Sequence, residues 1–337
     1  MKQLLLVKMS SLGDVVHALP AVSDAIAHGW QVDWVVEEAF ADVARAHPGV
    51  RTVIPIAWRR WRKSLTASRA ELKSFDDALR AVHYDCVLDS QGLIKSAVVA
   101  LRARGPSAGF SHTSAREPLA AFAYRRGYAV ARAQHAIARQ RQLFAAALDY
   151  PLTDDGSALE FGASNAASQQ VLLLHGTTWA SKHWPLAMWQ ELVQLIKASG
   201  YEPVVTWGDE VERARAQELV AAGATLLDRQ PLATLITHMA EMAAVITVDS
   251  GLGHLAAVLG RPTVGLYGAT SGLLTGVQGE HSVVLQGEIS CAPCLRKECR
   301  YRGTPLEWQG QVVEPPCFAS VPPDQVWTAA RKLMASA

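Results

Sequence analysis

The stretch VKMSSLGDVVHALP, from Val7 to Pro20, decides the fold. The apolar run Leu4–Val7 is typical of a buried strand, and the apolar residues that follow Asp14 suit a helix packed on a sheet. A polar turn that contains Gly13 lies between them. The stretch therefore predicts a strand–loop–helix unit whose polar residues lie at the carboxyl end of the strand, where open α/β sheets bind ligands. From the residues alone, Asp14 is a base, a sugar ligand or a helix cap.

The same alternation of strand and helix continues along the chain and predicts doubly wound parallel sheets built from βαβ units. The expected strands are Gln3–Val7, Gln31–Val36, Val53–Ile56, Cys86–Asp89, Val171–His175, Pro203–Trp207, Ala244–Asp249 and Thr263–Tyr267. The expected helices are Glu71–Val82, Ala136–Leu148, Met188–Ser199, Glu210–Ala221 and the final segment Asp324–Ala337.

The length of 337 residues allows two domains, each with its own core. The segment Asp149–Ser168, rich in Asp, Gly, Ser and Ala, is expected to link them. We therefore expect one Rossmann-like domain over residues 1–160 and a second over residues 161–323, with a ligand cleft between them. Residues 324–337 are expected to form a C-terminal helix that returns to the first domain.

The composition is 50% hydrophobic and 19% charged, which is typical of a globular protein. No apolar run is long enough to span a bilayer and no leader is evident, so we expect a cytoplasmic protein. Residues 1–148 carry 20 Lys and Arg against 12 Asp and Glu, whereas the rest of the chain carries 12 against 19. The basic first half favours an anionic lipid surface, a nucleotide or a nucleic acid as partner.

Two motifs of the first half carry candidate ligand-binding residues. The segment WRRWRK, Trp58–Lys63, is either a solvated loop or helix start with its Trp side chains packed down, or an anion clamp. The clamp is favoured by guanidinium groups, which bind phosphate and carboxylate bidentately. In the segment DSQGLIKS, Asp89–Ser96, Gln91 and Lys95 are positioned to reach the same edge as the first loop. Asp89 and Ser90 can equally be a helix N-cap pair.

The second half contains a candidate phosphate site in VLLLHGTTWASKHWP, Val171–Pro185. Thr177, Thr178 and Lys182 supply two hydroxyls and one ammonium after a buried strand, although a capped loop with an exposed lysine is the alternative. Glu210 or Glu212 follows another strand, where a carboxylate commonly accepts ribose hydroxyls. Either residue can instead be a favourable charge in the first turn of a helix.

A third loop, DSGLGH from Asp249 to His254, opens an alanine-rich helix. Free N–H groups and the positive end of the helix dipole suit a diphosphate there, and the glycines would allow it to approach closely. His254 alone is more often a satisfied helix residue than a catalyst. No GxGxxG follows any strand, which argues against a dehydrogenase.

Four of the five cysteines fall within the Cys-rich loop 288–318, at Cys291, Cys294, Cys299 and Cys317. In a cytoplasmic chain, clustered cysteines point to metal rather than to disulfides, and four thiolates suit tetrahedral Zn or Fe. A structural metal is therefore expected, with free or oxidised cysteines as the alternative. Cys86 is expected to be a core residue.

These motifs together resemble the ADP-heptose:lipopolysaccharide heptosyltransferases, inverting enzymes of glycosyltransferase family 9 with the two-domain GT-B fold. The resemblance covers nearly the whole chain, through VKMSSLGDVVHALPAVSDA, VDWVVEEAFADVA, VIPIAWRRWRKSL, LDSQGLIKSA, SAREPLAAFAY, HGTTWASKHWP and VDSGLGHLAA. The cysteine loop departs from the enteric chains of the family, while some relatives that act on autotransporter proteins carry cysteine-ligated iron.

The resemblance implies a role for each motif. Asp14 would be the general base on the acceptor hydroxyl, and Lys182 would neutralise the departing diphosphate without a divalent metal. The donor-binding residues would be Thr177, Thr178, Lys182, Glu212, Asp249, Ser250, Gly251 and His254. The acceptor-binding residues would be Ser10, Gly13, Arg59, Arg60, Lys63, Gln91, Lys95 and Arg116.

The resemblance also implies partners: ADP-heptose as donor, Kdo–lipid A as acceptor and peripheral contact with the cytoplasmic face of the inner membrane, with no nucleic acid. The first domain would bind the acceptor and the second the donor. Two alternatives remain. One is a different acceptor within the family, either the heptosylated core or a protein. The other is a non-enzymatic nucleotide- or nucleic-acid-binding protein with a zinc clip.

Overall fold

The computed structural model of the chain describes residues 1–64, 66, 68–152 and 168–337. The chain divides into two compact units, Met1–Leu159 and Glu160–Ala337. The expected linker Asp149–Ser168 lies for the most part outside the described residues, because 153–167 are not among them.

The first unit is a six-stranded parallel sheet with the order β3-β2-β1-β4-β5-β6. Its strands are β1 (Lys2–Val7), β2 (Trp30–Glu37), β3 (Val50–Ile56), β4 (Cys86–Asp89), β5 (Ser107–Phe110) and β6 (Arg126–Tyr128). Its helices are α1 (Leu12–Val16), α2 (Leu19–Ala27), α3 (Ala41–Ala46), α4 (Trp58–Trp61), α5 (Arg69–Arg80), α6 (Ile94–Arg102) and α7 (Ala136–Leu148), with 3-10 turns at Glu38–Phe40 and Pro118–Ala123.

The second unit repeats this topology with the order β12-β11-β10-β7-β8-β9, again parallel throughout. Its strands are β7 (Gln170–Leu174), β8 (Glu202–Val205), β9 (Thr225–Leu226), β10 (Ala244–Val248), β11 (Thr263–Tyr267) and β12 (Ser282–Gln286), and β13 (Glu307–Trp308) and β14 (Gln311–Val312) form a hairpin. Its helices are α8 (Leu186–Ala198), α9 (Glu210–Ala221), α10 (Leu232–Glu241), α11 (Gly251–Val258), α12 (Gly272–Thr275) and α13 (Pro323–Ser336), with 3-10 turns at Ala180–Lys182 and Pro316–Ser320.

Apolar runs at the centre of each sheet explain why these segments are strands. Leu4–Val7 of β1 and Val171–Leu173 of β7 are inaccessible to solvent, and each such side chain contributes about 1.5–3 kcal/mol of burial free energy. Trp184 and Trp189 pack edge to face in the second core, with ring centroids 5.0 Å apart. Each core therefore fixes the register of its own central strands.

Both sheets have a topological switch point, where the strand order reverses direction. It falls between β1 and β4 in the first unit and between β7 and β10 in the second. Ligands of open α/β sheets bind outside the carboxyl ends of the strands at such a point. The loops that follow these four strands hold most of the residues singled out in the sequence.

Six of these strands were not expected from the sequence: β5, β6, β9, β12, β13 and β14. They are short or only partly buried, and β5 and β6 contain glycine or arginine, so neither strict alternation nor a long apolar run marks them. The expected C-terminal helix forms as α13.

Helix α13 packs on the second unit, and its expected return to the first domain stays a prediction. Val326, Trp327 and Ala330 of α13 are buried in the core of the second unit, and the Trp327 indole N–H donates to Ser199 Oγ over 2.8 Å.

Among the described residues, no helix is both long and apolar enough to cross a bilayer.

Candidate active site

Asp14 lies in the first turn of α1, directly after the carboxyl end of β1. Ser11, the N-cap of α1, donates to Asp14 Oδ2 both from its backbone N–H (2.9 Å) and from its hydroxyl (2.8 Å). These contacts fix the carboxylate at the ligand edge of the first sheet. Asp14 is thus part of a helix cap and remains half-buried, and both features follow from the polar turn between strand and helix.

The charge of Asp14 is maintained by its neighbours. Burial acts to raise the pKa of Asp14, but the ammonium of Lys8, the two bonds from Ser11 and the charge of Arg116 outweigh it, and the pKa lies below its usual value. Lys8 is itself buried and donates to the carbonyl of Ser90 over 3.1 Å. Asp14 is therefore an ionised carboxylate at neutral pH.

The loops after β1 and β4 are joined through Gln91. Its side-chain carbonyl accepts from the backbone N–H of Met9 (2.7 Å) and of Ser10 (3.3 Å). Lys95 Nζ donates to Ser10 Oγ over 3.1 Å. Ser10, Gln91 and Lys95, all expected at the acceptor side, thus come together beside the loop that carries Gly13 and Asp14.

Asp89 does not cap a helix, because α6 begins only at Ile94. Its Oδ1 accepts from the backbone N–H groups of Gln91 (2.8 Å) and Gly92 (3.1 Å), and its Oδ2 accepts from the Tyr124 hydroxyl (2.6 Å). Burial raises the pKa of Asp89, and these hydrogen bonds oppose that rise. The residue shapes the turn that presents Gln91.

The basic segment forms a short helix, α4, with Trp61 packed into the core. Arg60 binds Glu38 (3.1 Å) and Glu71 (2.8 Å), so its guanidinium is already paired within the first unit. Arg59 is exposed, and its side chain lies over the Phe40 ring at 5.4 Å.

Lys63 follows α4 and is exposed, as is Arg116 on the far side of the β4 loop. The carbonyls of Ser114 and Ala115, next to Arg116, accept from Arg139 (2.9 Å) and from Arg132 respectively. Cationic side chains therefore occur on both flanks of the sheet edge that holds Asp14.

In the second unit, Asp249 follows β10 and binds groups from two other loops, those after β7 and β11. Its Oδ2 lies 2.6 Å from Lys182 Nζ and accepts from the Thr270 hydroxyl over 2.6 Å, and its backbone carbonyl accepts from Thr177 Oγ1 over 3.1 Å. Lys182 also lies 4.5 Å from the centre of the Trp179 ring. Thr178 is exposed in the same loop. The predicted phosphate-site residues thus form one cluster at the second switch point.

Helix α11 begins at this cluster with Ser250 as its N-cap. Ser250 Oγ accepts from the backbone N–H of Gly253 over 3.3 Å, while Gly251 occupies the first helical position. The role expected for the second glycine is corrected: a Cβ on Gly253 would lie 2.4 Å from Thr247 Cγ2, so this residue allows α11 to pack on β10. His254 is buried, with Nε2 3.9 Å from Asp249 Oδ1.

Glu212 and Glu210 have different surroundings. Glu212 Oε2 accepts from the backbone N–H of Gly208 over 2.8 Å, and a Cβ on Gly176 would meet Glu212 Oε1 at 2.3 Å. Glu210 points outward and pairs with Arg213 at 3.4 Å. Glu212 therefore reaches the carboxyl ends of β7 and β8, and Glu210 does not.

Two residues of this cluster were not singled out in the sequence. Thr270 follows β11 at the same sheet edge, and its position after a buried strand is the signal that could have found it. Ser181 donates to the carbonyls of Lys297 (backbone N–H, 3.1 Å) and Arg296 (hydroxyl, 2.5 Å), which ties the Lys182 loop to the cysteine loop.

The structure does not support the expected four-cysteine metal site. Cys317 is buried, whereas Cys291 and Cys299 are exposed and Cys294 is partly exposed. Burial raises the pKa of the Cys317 thiol to about 12, with a further contribution from the other three cysteines. Across the part of the chain that the structure describes, which includes all four, no three His, Cys, Asp or Glu side chains form a group that could hold a metal ion.

The comparisons with known proteins agree with the duplicated topology. The sequence model of glycosyltransferase family 9 (heptosyltransferase) matches residues 72–304. The chain is 44% identical to lipopolysaccharide heptosyltransferase 1 of Pseudomonas aeruginosa, over 97% of this chain and 96% of that one.

Two solved structures of E. coli heptosyltransferase WaaC are similar to this chain, and each covers 85% of it and 93% of WaaC. The structure with ADP has 39% identity and a TM-score of 0.80. The structure with ADP-2-deoxy-2-fluoro heptose has 38% identity and a TM-score of 0.76.

Two Rossmann-like units with these relatives define a glycosyltransferase of the GT-B fold, and the predicted fold class is confirmed. The chain belongs to glycosyltransferase family 9, the heptosyltransferases. The resemblance stated from the sequence motifs is thereby confirmed as well.

Proposed function

We propose that this enzyme transfers heptose from ADP-heptose to the Kdo residue of Kdo–lipid A, with inversion at the anomeric carbon, in the synthesis of the lipopolysaccharide inner core. One observation carries the proposal. A carboxylate is held ionised at the ligand edge of one sheet, and a cation and a helix N-terminus lie at the ligand edge of the other. The similarity to heptosyltransferase 1 proteins supports this donor and this acceptor.

In this proposal the first unit binds the acceptor and Asp14 is the general base. An inverting transfer needs a group that removes the proton as the acceptor hydroxyl attacks the anomeric carbon, while the bond to ADP breaks. The bonds from Ser11 to Oδ2 orient the carboxylate, and Lys8 keeps it charged. Ser10, Gly13, Gln91 and Lys95 would surround the hydroxyl, and Arg59, Arg60, Lys63 and Arg116 would bind the anionic groups of the acceptor.

The second unit would bind the donor. Lys182, Thr177 and Thr178 would contact the diphosphate together with the backbone N–H groups of Ser250 and Gly251, and would stabilise the charge that develops on ADP. Glu212 would accept from the ribose hydroxyls, while Asp249 and His254 would lie near the donor sugar. Because these groups supply positive charge and donors, we propose that the transfer needs no divalent metal.

Since the proposed acceptor is a lipid, we also propose a peripheral location on the cytoplasmic face of the inner membrane. The excess of Lys and Arg in residues 1–148 supports contact with anionic lipid.

The test measures ADP release by the purified full chain in the presence of EDTA. ADP-heptose is supplied with Kdo–lipid A, with heptosylated lipid A or with a protein acceptor. We expect release only with Kdo–lipid A. Turnover with one of the other two acceptors alone would assign the enzyme a different acceptor within the family.

The base is tested with Asp14→Asn. Because the amide cannot take up the proton, we expect kcat to fall by about 10²–10⁴-fold while the affinity for ADP stays unchanged. The matched control is Asp42→Asn, which removes an exposed carboxylate that pairs with Arg45 on α3. Wild-type turnover in Asp14→Asn would show that another group is the base.

A further inference from the structure

Five large apolar side chains of the first unit are exposed and lie close to one another. Three lie on α6, where Ile94, Val98 and Leu101 are exposed, the last to 60%. The other two lie on the 3-10 turn Pro118–Ala123, where Leu119 is 66% exposed and Phe122 is 85% exposed. We call these five side chains the α6 apolar surface.

The spacing of these residues puts them on common faces. Positions 94, 98 and 101 follow the i, i+4, i+7 pattern, so they form one stripe along α6. Positions 119 and 122 are one turn apart in a 3-10 helix and lie on the same side. The stripe and the turn are in contact, because Ala97 of α6 and Ala120 of the turn share one buried cluster.

A hydrogen bond also joins the starts of these two elements. The backbone N–H of Ile94 donates to Glu117 Oε2 over 2.7 Å, and Glu117 directly precedes the turn. The two exposed sets therefore border one another on the outside of the first unit, on the side of the sheet that α6 covers.

Such an outer face is unusual for a helix that covers a sheet. The neighbouring helix α5 exposes the charged residues Glu71, Lys73, Asp77 and Arg80. Single exposed apolar residues are normal in soluble proteins, but a contiguous group marks an interaction surface. The α6 apolar surface is therefore a candidate contact site for another molecule.

Cationic side chains lie at both ends of this surface. Arg104 follows the C-terminal end of α6, and Arg125 and Arg126 follow the 3-10 turn; all three are exposed. At the other end are Lys95 and Arg116, beside the loop that carries Asp14. An apolar centre with basic groups around it matches the interface of an anionic bilayer, where apolar side chains enter the headgroup region and Arg contacts lipid phosphate.

We propose that the α6 apolar surface docks the enzyme on an anionic lipid bilayer. This inference rests on the proposed function, since an enzyme that acts on a lipid-anchored sugar must work at the membrane surface. A second copy of the chain fits the surface less well. In a two-fold symmetric dimer, the α6 apolar surface of one copy would face the same surface of the other copy. The arginines of the two copies would then lie close together.

The experiment measures binding of the full chain to vesicles by co-sedimentation. One set of vesicles contains phosphatidylethanolamine and phosphatidylglycerol, and the other contains only phosphatidylcholine. We expect binding to the first set, and Leu119→Ser combined with Phe122→Ser should weaken it by on the order of tenfold or more. The control combines Leu273→Ser with Val312→Ser, which removes side chains of similar exposure (88% and 57%) in the second unit and should leave binding unchanged.

A second variant, Val98→Ser with Leu101→Ser, tests the α6 stripe separately, and circular dichroism verifies that each variant is folded. Unchanged vesicle binding in both variants would overturn the proposal. So would equal binding to the two sets of vesicles. A change from dimer to monomer in the variants with vesicle binding intact would assign the surface to a second copy instead.

Vesicle binding is measured without donor or acceptor, so it does not depend on the transfer reaction. If the enzyme releases no ADP but the substitutions still weaken vesicle binding, only the proposed reaction is contradicted. In the reverse case, the enzyme turns over a water-soluble acceptor and neither variant loses vesicle binding. That result would overturn only the docking surface.

Discussion

The Asp14 carboxylate is oriented by Ser11 of its own loop and kept ionised mainly by Lys8, which directly follows β1. Ser11 donates twice to Oδ2, and Lys8 lies buried behind the loop. Capping and ionisation therefore have the same origin at this position. Asp14 can be part of the cap of α1 and also the proposed base, because the hydrogen bonds that cap the helix also hold the carboxylate in place.

The lowered pKa of Asp14 has a consequence for stability. A carboxyl whose pKa is lower in the folded protein stabilises it above the unfolded pKa, and this contribution is lost as the pH falls through the folded value. We expect Asp14→Asn to be less stable than the wild type near pH 7, with a difference that shrinks as the pH falls below about 4, in urea unfolding. A difference that is constant or grows toward low pH would contradict this electrostatic description.

The surroundings of Glu212 and Glu210 make a matched pair of substitutions. Glu212→Gln should weaken ADP binding by about tenfold, because a ribose hydroxyl would lose a charged acceptor at the ends of β7 and β8. Glu210→Gln, two residues away and paired with Arg213, should leave ADP affinity unchanged in calorimetry. A larger loss in Glu210→Gln than in Glu212→Gln would reverse the assignment.

At the scale of residues, sequence reasoning predicts which loops hold polar groups but not which groups pair with each other. The cluster of Lys182, Thr177 and Asp249 follows from two strand ends, those of β7 and β10, at one switch point. The pairing of Arg60 with Glu38 and Glu71 does not, because it depends on how the 3-10 turn Glu38–Phe40 and α5 pack around α4.

Among the elements, the cysteine loop is held by main-chain contacts. Besides the two bonds from Ser181, the backbone N–H of Leu295 donates to the carbonyl of Ala269 over 2.8 Å. The loop thereby joins the segment that carries Lys182 to the segment that carries Thr270. It supports the cluster around Asp249 without contributing one of its side chains.

These contacts predict the effect of removing the exposed cysteines. The triple variant Cys291→Ser, Cys294→Ser, Cys299→Ser should unfold within about 0.5 kcal/mol of the wild type, because the main-chain bonds are retained. Elemental analysis of the wild type under reducing conditions should find neither Zn nor Fe in stoichiometric amount. Stoichiometric metal, lost together with stability in the triple variant, would restore the four-cysteine site.

Sequence periodicity predicts the long or fully buried elements well. Helices Ala136–Leu148 and Glu210–Ala221 have the bounds expected from their amphipathic pattern, and strand Cys86–Asp89 has those expected from its apolar run. Strands β6 and β9 have three and two residues, too few for a pattern, and exist because a neighbouring strand offers hydrogen-bonding partners. Only tertiary structure could supply that information.

At the scale of the whole molecule, the net charge of +1 conceals a strong separation of charge. Residues 1–148 have 20 basic and 12 acidic side chains, and the remainder has 12 and 19. At 0.1 M salt, charges more than about 10 Å from an anionic surface are screened from it. Such a surface therefore interacts mainly with the part of the chain that lies nearest to it. The proposed contact with lipid would therefore depend on the distribution of charge rather than on the net charge.

This separation predicts a salt-dependent interaction. Binding of the full chain to phosphatidylglycerol-containing vesicles should weaken several-fold when NaCl rises from about 0.05 M to about 0.5 M. Replacing Arg125 and Arg126 together by Gln should make the dependence shallower. Binding that does not change with salt would mean that the apolar side chains act alone.

The identical strand order of the two sheets has an evolutionary consequence. Each unit closes its own core and forms its own ligand edge. In the proposed assignment of the acceptor to the first unit and the donor to the second, mutations that alter the recognition of the acceptor would act within one half of the chain and leave the ADP-heptose site in the other half unchanged. Hybrid chains, with the first unit of one relative and the second unit of another, would test whether acceptor specificity can be changed without changing the donor.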